Sequence, residues 1–355
     1  MSLSQYEPEL RATAAAMVAD GKGLLACDES TGTCGKRLES IGLENNEENR
    51  MTWRNLLFTT EGLELYVSGA ILFEETLFQS GPDGVAFVDK LNAKGIIPGI
   101  KVDTGLKPLV GTNGENWCTG LDTLFERCTK YYERGARFAK WRTALKIDEG
   151  CPSNLALDVA ATDLARYARI CQECGLVPII EPEVLIDGDH DVRTTAKVQE
   201  RVLSTVYNKC EENGVVLEGT ILKPAMTVPG VDCKDKSDPT EIARLTVRTL
   251  ERGLPAAVPG VTFLSGGISE EDSSIYLNEI NKLDRIGPWK LTFSFSRALQ
   301  SSCLKTWNGQ ADNYEQAQAQ LKARAQANSE ASKGEYTPGS QPSIEESLFV
   351  KNYVY

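Results

Sequence analysis

Eight short apolar segments typical of β-strands recur along the chain, and longer segments with helical periodicity separate most of them. The predicted strands cover residues 24–28, 66–72, 96–102, 136–142, 176–183, 215–223, 261–265 and 291–297. Strands that alternate with helices favour a parallel sheet, and eight of them predict a single α/β domain, a (β/α)8 TIM barrel. An open, doubly wound sheet is the alternative, although no G-x-G-x-x-G motif follows the first strand.

The chain length fits this single domain, because barrels of this kind run from about 200 to more than 400 residues. Helical periodicity predicts helices at 121–134, 155–174, 192–212, 239–252, 269–282 and 311–331. We expect an N-terminal helix within residues 1–22, packed outside the barrel, and the barrel itself at residues 23–331. Residues 332–355 are rich in Ser, Gly and Pro before their aromatic end, which predicts a flexible C-terminal tail.

The acidic composition excludes some classes of partner. A net charge of −12 and a pI near 4.9 argue against nucleic acid or an anionic membrane surface as the main partner. The sequence shows no apolar run long enough to span a membrane and no secretory signal pattern, so we expect a cytoplasmic protein. Ten cysteines in that compartment predict reduced thiols, and the C-x-x-C pair Cys171 and Cys174 is interpreted as two incidental thiols near a helix end.

A single histidine, His190, limits the chemistry that the chain can perform. Catalytic zinc sites usually draw one to three ligands from histidine, so a histidine-rich zinc site is excluded. A Ser-His or Cys-His pair could form only around His190. Any reaction therefore has to rely on lysines and carboxylates, and we expect no metal or organic cofactor.

Charged residues lie at the predicted ends of six of the eight strands. In a barrel these carboxyl ends meet at one face, here called the mouth, where active sites form. Residues i and i+2 of a strand point the same way, so each pair on one strand faces the mouth together. One charged strand end alone is usually a solvated boundary, but six on one face predict a catalytic site. The residues are Asp28, Lys101 with Asp103, Lys140 with Arg142, Glu181 with Glu183, Lys223 and Arg297.

Lys223 ends the strand segment "LEGTILKP" and is the candidate nucleophile. Burial and a nearby ammonium such as Lys140 would lower its pKa, which increases the fraction of neutral amine. A neutral amine can attack a carbonyl and form a Schiff base, whose iminium helps an adjacent C–C or C–H bond to break. Glu181 could then move protons, and Asp28 could hold or deprotonate a substrate hydroxyl.

Residues after the seventh and eighth strands predict a phosphorylated substrate, since these loops form the usual phosphate site of the fold. Ser265, Gly266 and Gly267 offer hydroxyl and backbone N–H donors, and Arg297 can bind a phosphate through two hydrogen bonds. Three cations near the first and third strands, on the far side of the mouth, could serve a second phosphate: Lys36, Arg37 and Lys101.

The chain resembles the class I, Schiff-base fructose-bisphosphate aldolase family, of the eukaryotic type, over nearly its whole length. The matching stretches include "LLACDESTGTCGKRLESIG", "GIKVDTG", "GARFAKWR", "LEGTILKP", "TFLSGG", "LTFSFSRALQ" and "ESLFVKNYVY". The resemblance implies metal-independent, reversible cleavage of fructose 1,6-bisphosphate to dihydroxyacetone phosphate and glyceraldehyde 3-phosphate, a step of glycolysis and gluconeogenesis. It also implies a homotetramer in the cytosol or a plastid, with phosphorylated ketose and triose sugars as substrates.

The resemblance also assigns roles. It implies that Lys223 forms the Schiff base, Glu181 with Glu183 beside it is the general acid/base, and Asp28 acts at the C4 hydroxyl. It further implies that Lys140 assists at the carbinolamine and that Tyr355 reaches the active site from the tail to exchange a proton with the enamine. The implied phosphate contacts are Ser265, Gly266 and Arg297 on the dihydroxyacetone phosphate side, and Arg37, Lys101, Arg50 and Arg142 on the other.

Four positions depart from the family pattern. This chain has Ser296 where the family has Gly, and Ala225 where the family has Asn. It has Thr104 where the family has Lys, and Ile268 where the family has Gln. A position that needs a positive φ would strain Ser296. Two alternatives therefore stay open: a binding protein with weakened catalysis, such as an adaptor for cytoskeletal filaments, or an aldolase for another sugar, such as fructose 1-phosphate or sedoheptulose bisphosphate.

Overall fold

The computed structural model describes residues 5–351, in which eight parallel strands close a barrel. The barrel order is β1 (Gly23–Cys27), β2 (Val67–Leu72), β3 (Ile97–Lys101), β6 (Phe138–Leu145), β7 (Val177–Val184), β8 (Ile221–Leu222), β9 (Gly260–Phe263) and β10 (Lys290–Phe295). Two short strands, β4 (Leu106–Pro108) and β5 (Asn116–Cys118), form a separate antiparallel pair. The prediction of a (β/α)8 TIM barrel is confirmed, and β1 pairs with β10 to close it.

Helices follow the strands and surround the barrel. Within residues 5–351 they are α1 (Glu7–Met17), α2 (Thr31–Glu39), α3 (Glu47–Thr59), α4 (Glu74–Phe78), α5 (Phe87–Ala93), α6 (Leu124–Arg134), α7 (Asn154–Glu173), α8 (Val192–Glu212), α9 (Pro239–Gly253), α10 (Glu270–Lys282), α11 (Arg297–Trp307) and α12 (Tyr314–Ser332). In this part of the chain, no helix combines the length and the apolar character needed to cross a bilayer.

Alternation along each strand separates two apolar layers. Leu25 and Cys27 of β1 face outward and join the large core that includes residues of the surrounding helices. Leu24 and Ala26 face inward and pack with the inward residues of other strands, such as Phe138 and Ile221. Helix α1 contributes Leu10, Ala14 and Met17 to this inner cluster, and Val18 just after the helix joins them. Apolar side chains therefore fill the inner layer beside α1, and charged residues occupy the inward positions that follow along the strands.

The sixth barrel strand is much shorter than predicted. The sequence predicts a strand over 215–223, but only Ile221–Leu222 pair as a strand, and Leu217–Gly219 form a 3-10 turn. Gln172 of α7, which is fully buried, replaces the missing strand pairing. Its side chain accepts a hydrogen bond from the Val216 N–H at 3.0 Å and donates to the carbonyls of Val216 at 2.8 Å and Gly219 at 3.2 Å. A side chain can thus satisfy backbone groups that a neighbouring strand would otherwise pair.

Replacing Gln172 by leucine is expected to lower the free energy of unfolding by about 2–4 kcal/mol, because buried backbone groups at Val216 and Gly219 lose their partners. Urea unfolding measures the change. The neighbouring Glu173→Gln exchange is the control, since it alters only a partly exposed ion pair with Arg169 and should cost less than about 1 kcal/mol. Equal stability of the two variants would contradict the role given to Gln172.

Candidate active site

Four charged side chains from four strands meet inside the mouth of the barrel. The Lys140 ammonium lies 2.6 Å from the Asp28 carboxylate and 3.5 Å from Glu181, and the other Glu181 oxygen lies 3.4 Å from Lys223 Nζ. None of the four residues is more than 1% exposed. Two ammonium groups and two carboxylates therefore alternate in one buried row, which balances their formal charges.

The pKa values of Lys223 and Asp28 are both lowered, which suits amine catalysis. Burial lowers the pKa of Lys223, and the Lys140 ammonium lowers it further, while Glu181 and Asp28 act in the opposite direction. For Asp28, burial opposes ionisation, but the ammonium groups of Lys140 and Lys223 outweigh it and hold the pKa below its ordinary value. A carboxylate at Asp28 and an amine at Lys223 that loses its proton more readily than an ordinary lysine are thus placed in one site.

The backbone positions Lys223 at the point where β8 ends. Its N–H donates to the Ile180 carbonyl of β7 at 2.8 Å, and Pro224 follows, which removes the next N–H donor from the ladder. Because Ile221 belongs to the inward-facing cluster, Lys223 two residues later points inward as well. The same alternation orients Glu181 after Ile179 and Lys140 after Phe138.

A pocket that could hold an anion lies beside this row. It is lined by Ser265, Gly266, Ser296 and Arg297 together with Glu181 and Lys223. Gly266 and Gly267 have φ angles of +60° and +96°, which L-residues with a side chain rarely adopt. The two glycines therefore allow this turn to expose its backbone to the pocket. The predicted phosphate-binding residues after the seventh and eighth strands are neighbours in space.

Part of the C-terminal segment lies on this pocket. The Leu348 N–H donates to the Gly267 carbonyl at 3.0 Å, and an Arg297 N–H donates to the Leu348 carbonyl. A Cβ on Gly267 would lie 2.8 Å from Phe349 Cα, so the close approach of the tail also requires glycine. Tyr355 lies outside the described residues.

Three further cations predicted to bind phosphate each hold a carboxylate. Lys101 lies 2.6 Å from Asp103, Arg142 donates to Glu183, and Arg50 of α3 makes two hydrogen bonds to Glu75 at 2.6 and 2.8 Å. Lys101 is 7% exposed and Arg142 3%, so both pairs are buried at the mouth. Each of these cations is therefore already paired with a carboxylate, and a phosphate would have to share the cation with that carboxylate or displace it.

The placement of Arg37 on the far side of the mouth is wrong. Because β1 pairs with β10, the segment after β1 lies next to Arg297 and its pocket. Ser30 caps α2 by accepting from the Thr33 N–H at 3.3 Å, and this helix carries Arg37 back to Glu29, with which it forms an ion pair. Arg37 also donates to Ser296 Oγ at 3.0 Å.

Glu29 and Arg54 are site residues that the sequence reasoning missed. Glu29 is 1% exposed, and its second carboxylate oxygen lies 2.8 Å from the Arg54 guanidinium. Arg54 lies one helical turn after Arg50 in α3, and this i, i+4 spacing of two arginines was the available signal. Ser296 has a φ of −106°, so the position does not require the positive φ that would have strained a serine.

Cys171 and Cys174 are buried free thiols, and burial raises the pKa of Cys174 to about 11, in line with the interpretation of incidental thiols. His190 lies in the loop after β7, and burial lowers its pKa. Across residues 5–351, no group of three or more histidine, cysteine, aspartate or glutamate side chains is arranged to hold a metal ion.

Comparisons with known proteins match nearly the whole chain. A family model for class-I fructose-bisphosphate aldolase matches residues 9–355. The chain is 56% identical to the cytosolic fructose-bisphosphate aldolase 4 of Arabidopsis thaliana, covering 98% of this chain and 89% of that protein. It is 51% identical to the chloroplastic fructose-bisphosphate aldolase 1 of Chlamydomonas reinhardtii, covering 99% and 93%.

A solved structure agrees with the family model and with these relatives. The fructose-bisphosphate aldolase of Plasmodium falciparum, in complex with TRAP and a small molecule inhibitor, superimposes with a TM-score of 0.94 at 52% identity, covering 96% of this chain and 98% of that one. Sequence, fold and the buried row at the mouth thus agree: the chain belongs to the class I fructose-bisphosphate aldolase family.

Proposed function

We propose that Lys223 is the nucleophile with which this lyase of the class I aldolase family reversibly cleaves fructose 1,6-bisphosphate to dihydroxyacetone phosphate and glyceraldehyde 3-phosphate. The observation that carries the proposal is the contact at 3.4 Å between Glu181 and a buried Lys223 whose pKa is lowered. That distance lets the carboxylate exchange protons with the amine or with an adduct on it.

The proposed reaction uses the row in order. The neutral Lys223 amine adds to the C2 carbonyl, and the carbinolamine loses water to become an iminium, with Glu181 moving the protons and Lys140 stabilising the oxygen. The C3–C4 bond then breaks. Its electron pair forms the C2–C3 double bond, which turns the iminium into an enamine. The C4 hydroxyl gives its proton to Asp28 and becomes the aldehyde. Proton transfer to C3, assigned to Tyr355, and hydrolysis of the imine release the second product.

The phosphate contacts are proposed from their positions around the row. Ser265, Gly266, Gly267 and Arg297 hold the phosphate on the dihydroxyacetone phosphate side, where backbone and guanidinium donors converge. Lys101, Arg142 and Arg50 hold the other phosphate. Because each of these three has a carboxylate partner, the second phosphate has to compete with that carboxylate for the cation.

Assembly and compartment are part of the proposal. We place the chain in the cytoplasm, since the Arabidopsis relative is named cytosolic, although the Chlamydomonas relative is chloroplastic. We expect a homotetramer, which light scattering on the purified protein would test. Binding to cytoskeletal filaments stays a prediction from the resemblance.

Borohydride reduction in the presence of dihydroxyacetone phosphate is expected to attach a three-carbon adduct to Lys223, because borohydride reduces an imine to a stable amine and the proposed imine forms at that lysine. Mass spectrometry of peptides locates the adduct. Cleavage assays with fructose 1,6-bisphosphate, fructose 1-phosphate and sedoheptulose bisphosphate give the substrate preference, with and without EDTA. An adduct on another lysine, or activity that EDTA abolishes, would overturn the mechanism.

A further inference from the structure

Ser296 lies where β10 leads into α11, at the boundary between the phosphate pocket and the Glu29 cluster. It is 7% exposed and lines the pocket together with Ser265, Gly266 and Arg297. It also occupies the N-cap position of α11, where a serine hydroxyl ordinarily accepts a hydrogen bond from an N–H of the first turn. No such cap hydrogen bond forms here, so the hydroxyl is available for another purpose.

The hydroxyl connects two charged groups, Glu29 and Arg37, that follow β1, the strand paired with β10. It donates to Glu29 Oε1 at 2.6 Å and accepts a hydrogen bond from Arg37 at 3.0 Å. Arg37 also pairs with the same carboxylate oxygen of Glu29, so the three groups form a closed triangle. A glycine at position 296 would offer no side chain to complete that triangle.

The triangle keeps a positive charge near the pocket. Burial opposes ionisation of Glu29, but Arg37, Arg54 and the Ser296 hydroxyl outweigh it and lower the pKa of the carboxyl. Two guanidinium groups and one carboxylate leave a formal charge of about +1 in this cluster. Since Ser296 lies on the pocket wall and contacts Arg37, that cation lies one hydroxyl group away from the pocket.

From this geometry we infer that Ser296 is a specificity-determining positioning residue, whose hydroxyl holds Arg37 beside the phosphate pocket of Arg297. Arg37 then supports the phosphate next to the Schiff base and is withheld from the phosphate at the other end of the sugar. The inference rests on the proposed cleavage of phosphorylated ketoses. Its consequence is that the chain discriminates less strongly between sugars with one and with two phosphates than it would without the hydroxyl.

The Ser296→Ala variant tests this through the ratio of kcat/KM for fructose 1,6-bisphosphate to kcat/KM for fructose 1-phosphate. We expect the ratio to rise about five-fold, because the loss of one hydrogen bond frees Arg37. Ser296→Thr keeps a hydroxyl and should keep the original ratio. Glu29 keeps its ion pair with Arg54 in each variant, so folding is expected to survive, which circular dichroism checks.

The second arm removes Arg37. In an Arg37→Ala background, the Ser296→Ala exchange should no longer change the ratio, since the positioned group is absent. A ratio that is unchanged or lower in the single Ser296→Ala variant, or a change that persists without Arg37, would overturn the inference. A wild-type protein that cleaves neither sugar would instead refute the proposed function.

Discussion

Replacing Lys223 by methionine is expected to reduce cleavage of fructose 1,6-bisphosphate by about 10⁴- to 10⁶-fold, the scale seen when a covalent catalyst loses its nucleophile. Methionine has nearly the same length but no amine, so no imine can form at this position. Burial of an apolar side chain costs no desolvation, and Glu181 keeps Lys140 as a cation at 3.5 Å. Thermal stability should therefore be equal to or higher than that of the wild type.

A steady-state assay and a thermal melt of the same preparation measure both halves of this prediction. Lys130→Met, on the exposed part of α6, is the control for a lost lysine and should leave turnover and borohydride trapping unchanged. Residual activity above about 1% of wild type would point to another lysine as the nucleophile. A large fall in stability would mean that Glu181 needs the Lys223 ammonium in addition to that of Lys140.

Strand ends carried most of the site information that the sequence contained. Asp28, Lys140, Glu181 and Lys223 are inward-facing because the two-residue period of a strand and the closure of the barrel leave one direction for them. Periodicity and barrel closure do not depend on details of packing. The direction of these side chains could therefore be predicted before their distances were known.

Features that depend on contacts between distant segments were not predictable. The segment from residue 215 is typical of a strand because Val215, Val216 and Thr220 are β-branched, but the side chain of Gln172 takes the place of strand pairing there. Barrel closure alone puts β1 beside β10, but the sequence does not show that α2 carries Arg37 back to Glu29 and Ser296. Propensity and spacing contain no information about which distant side chain completes a hydrogen bond.

Replacing Lys140 by methionine is expected to raise the pKa of Lys223 and so to slow imine formation about 10- to 100-fold at neutral pH. The Lys140 ammonium lowers the pKa of Lys223, whereas Asp28 and Glu181 raise it, so the variant keeps only the raising charges. The pH midpoint for borohydride trapping at Lys223 should therefore move to higher pH. Glu181→Gln removes a raising charge, and its midpoint should move to lower pH.

The same Lys140→Met exchange should also change how the free energy of unfolding depends on pH. In the wild type the pKa of Asp28 is lowered, so its ion pair adds stability above about pH 4 that is lost as the pH falls. Without Lys140 the buried carboxylate loses the ammonium at 2.6 Å, its pKa rises, and the variant should lose about 3–5 kcal/mol near neutral pH but less in mild acid. Lys101→Met removes another buried lysine that is paired with Asp103 rather than Asp28, so its trapping midpoint should stay close to that of the wild type. Equal midpoints in the Lys140→Met and Lys101→Met variants would show that the row does not tune Lys223, whatever the loss in turnover.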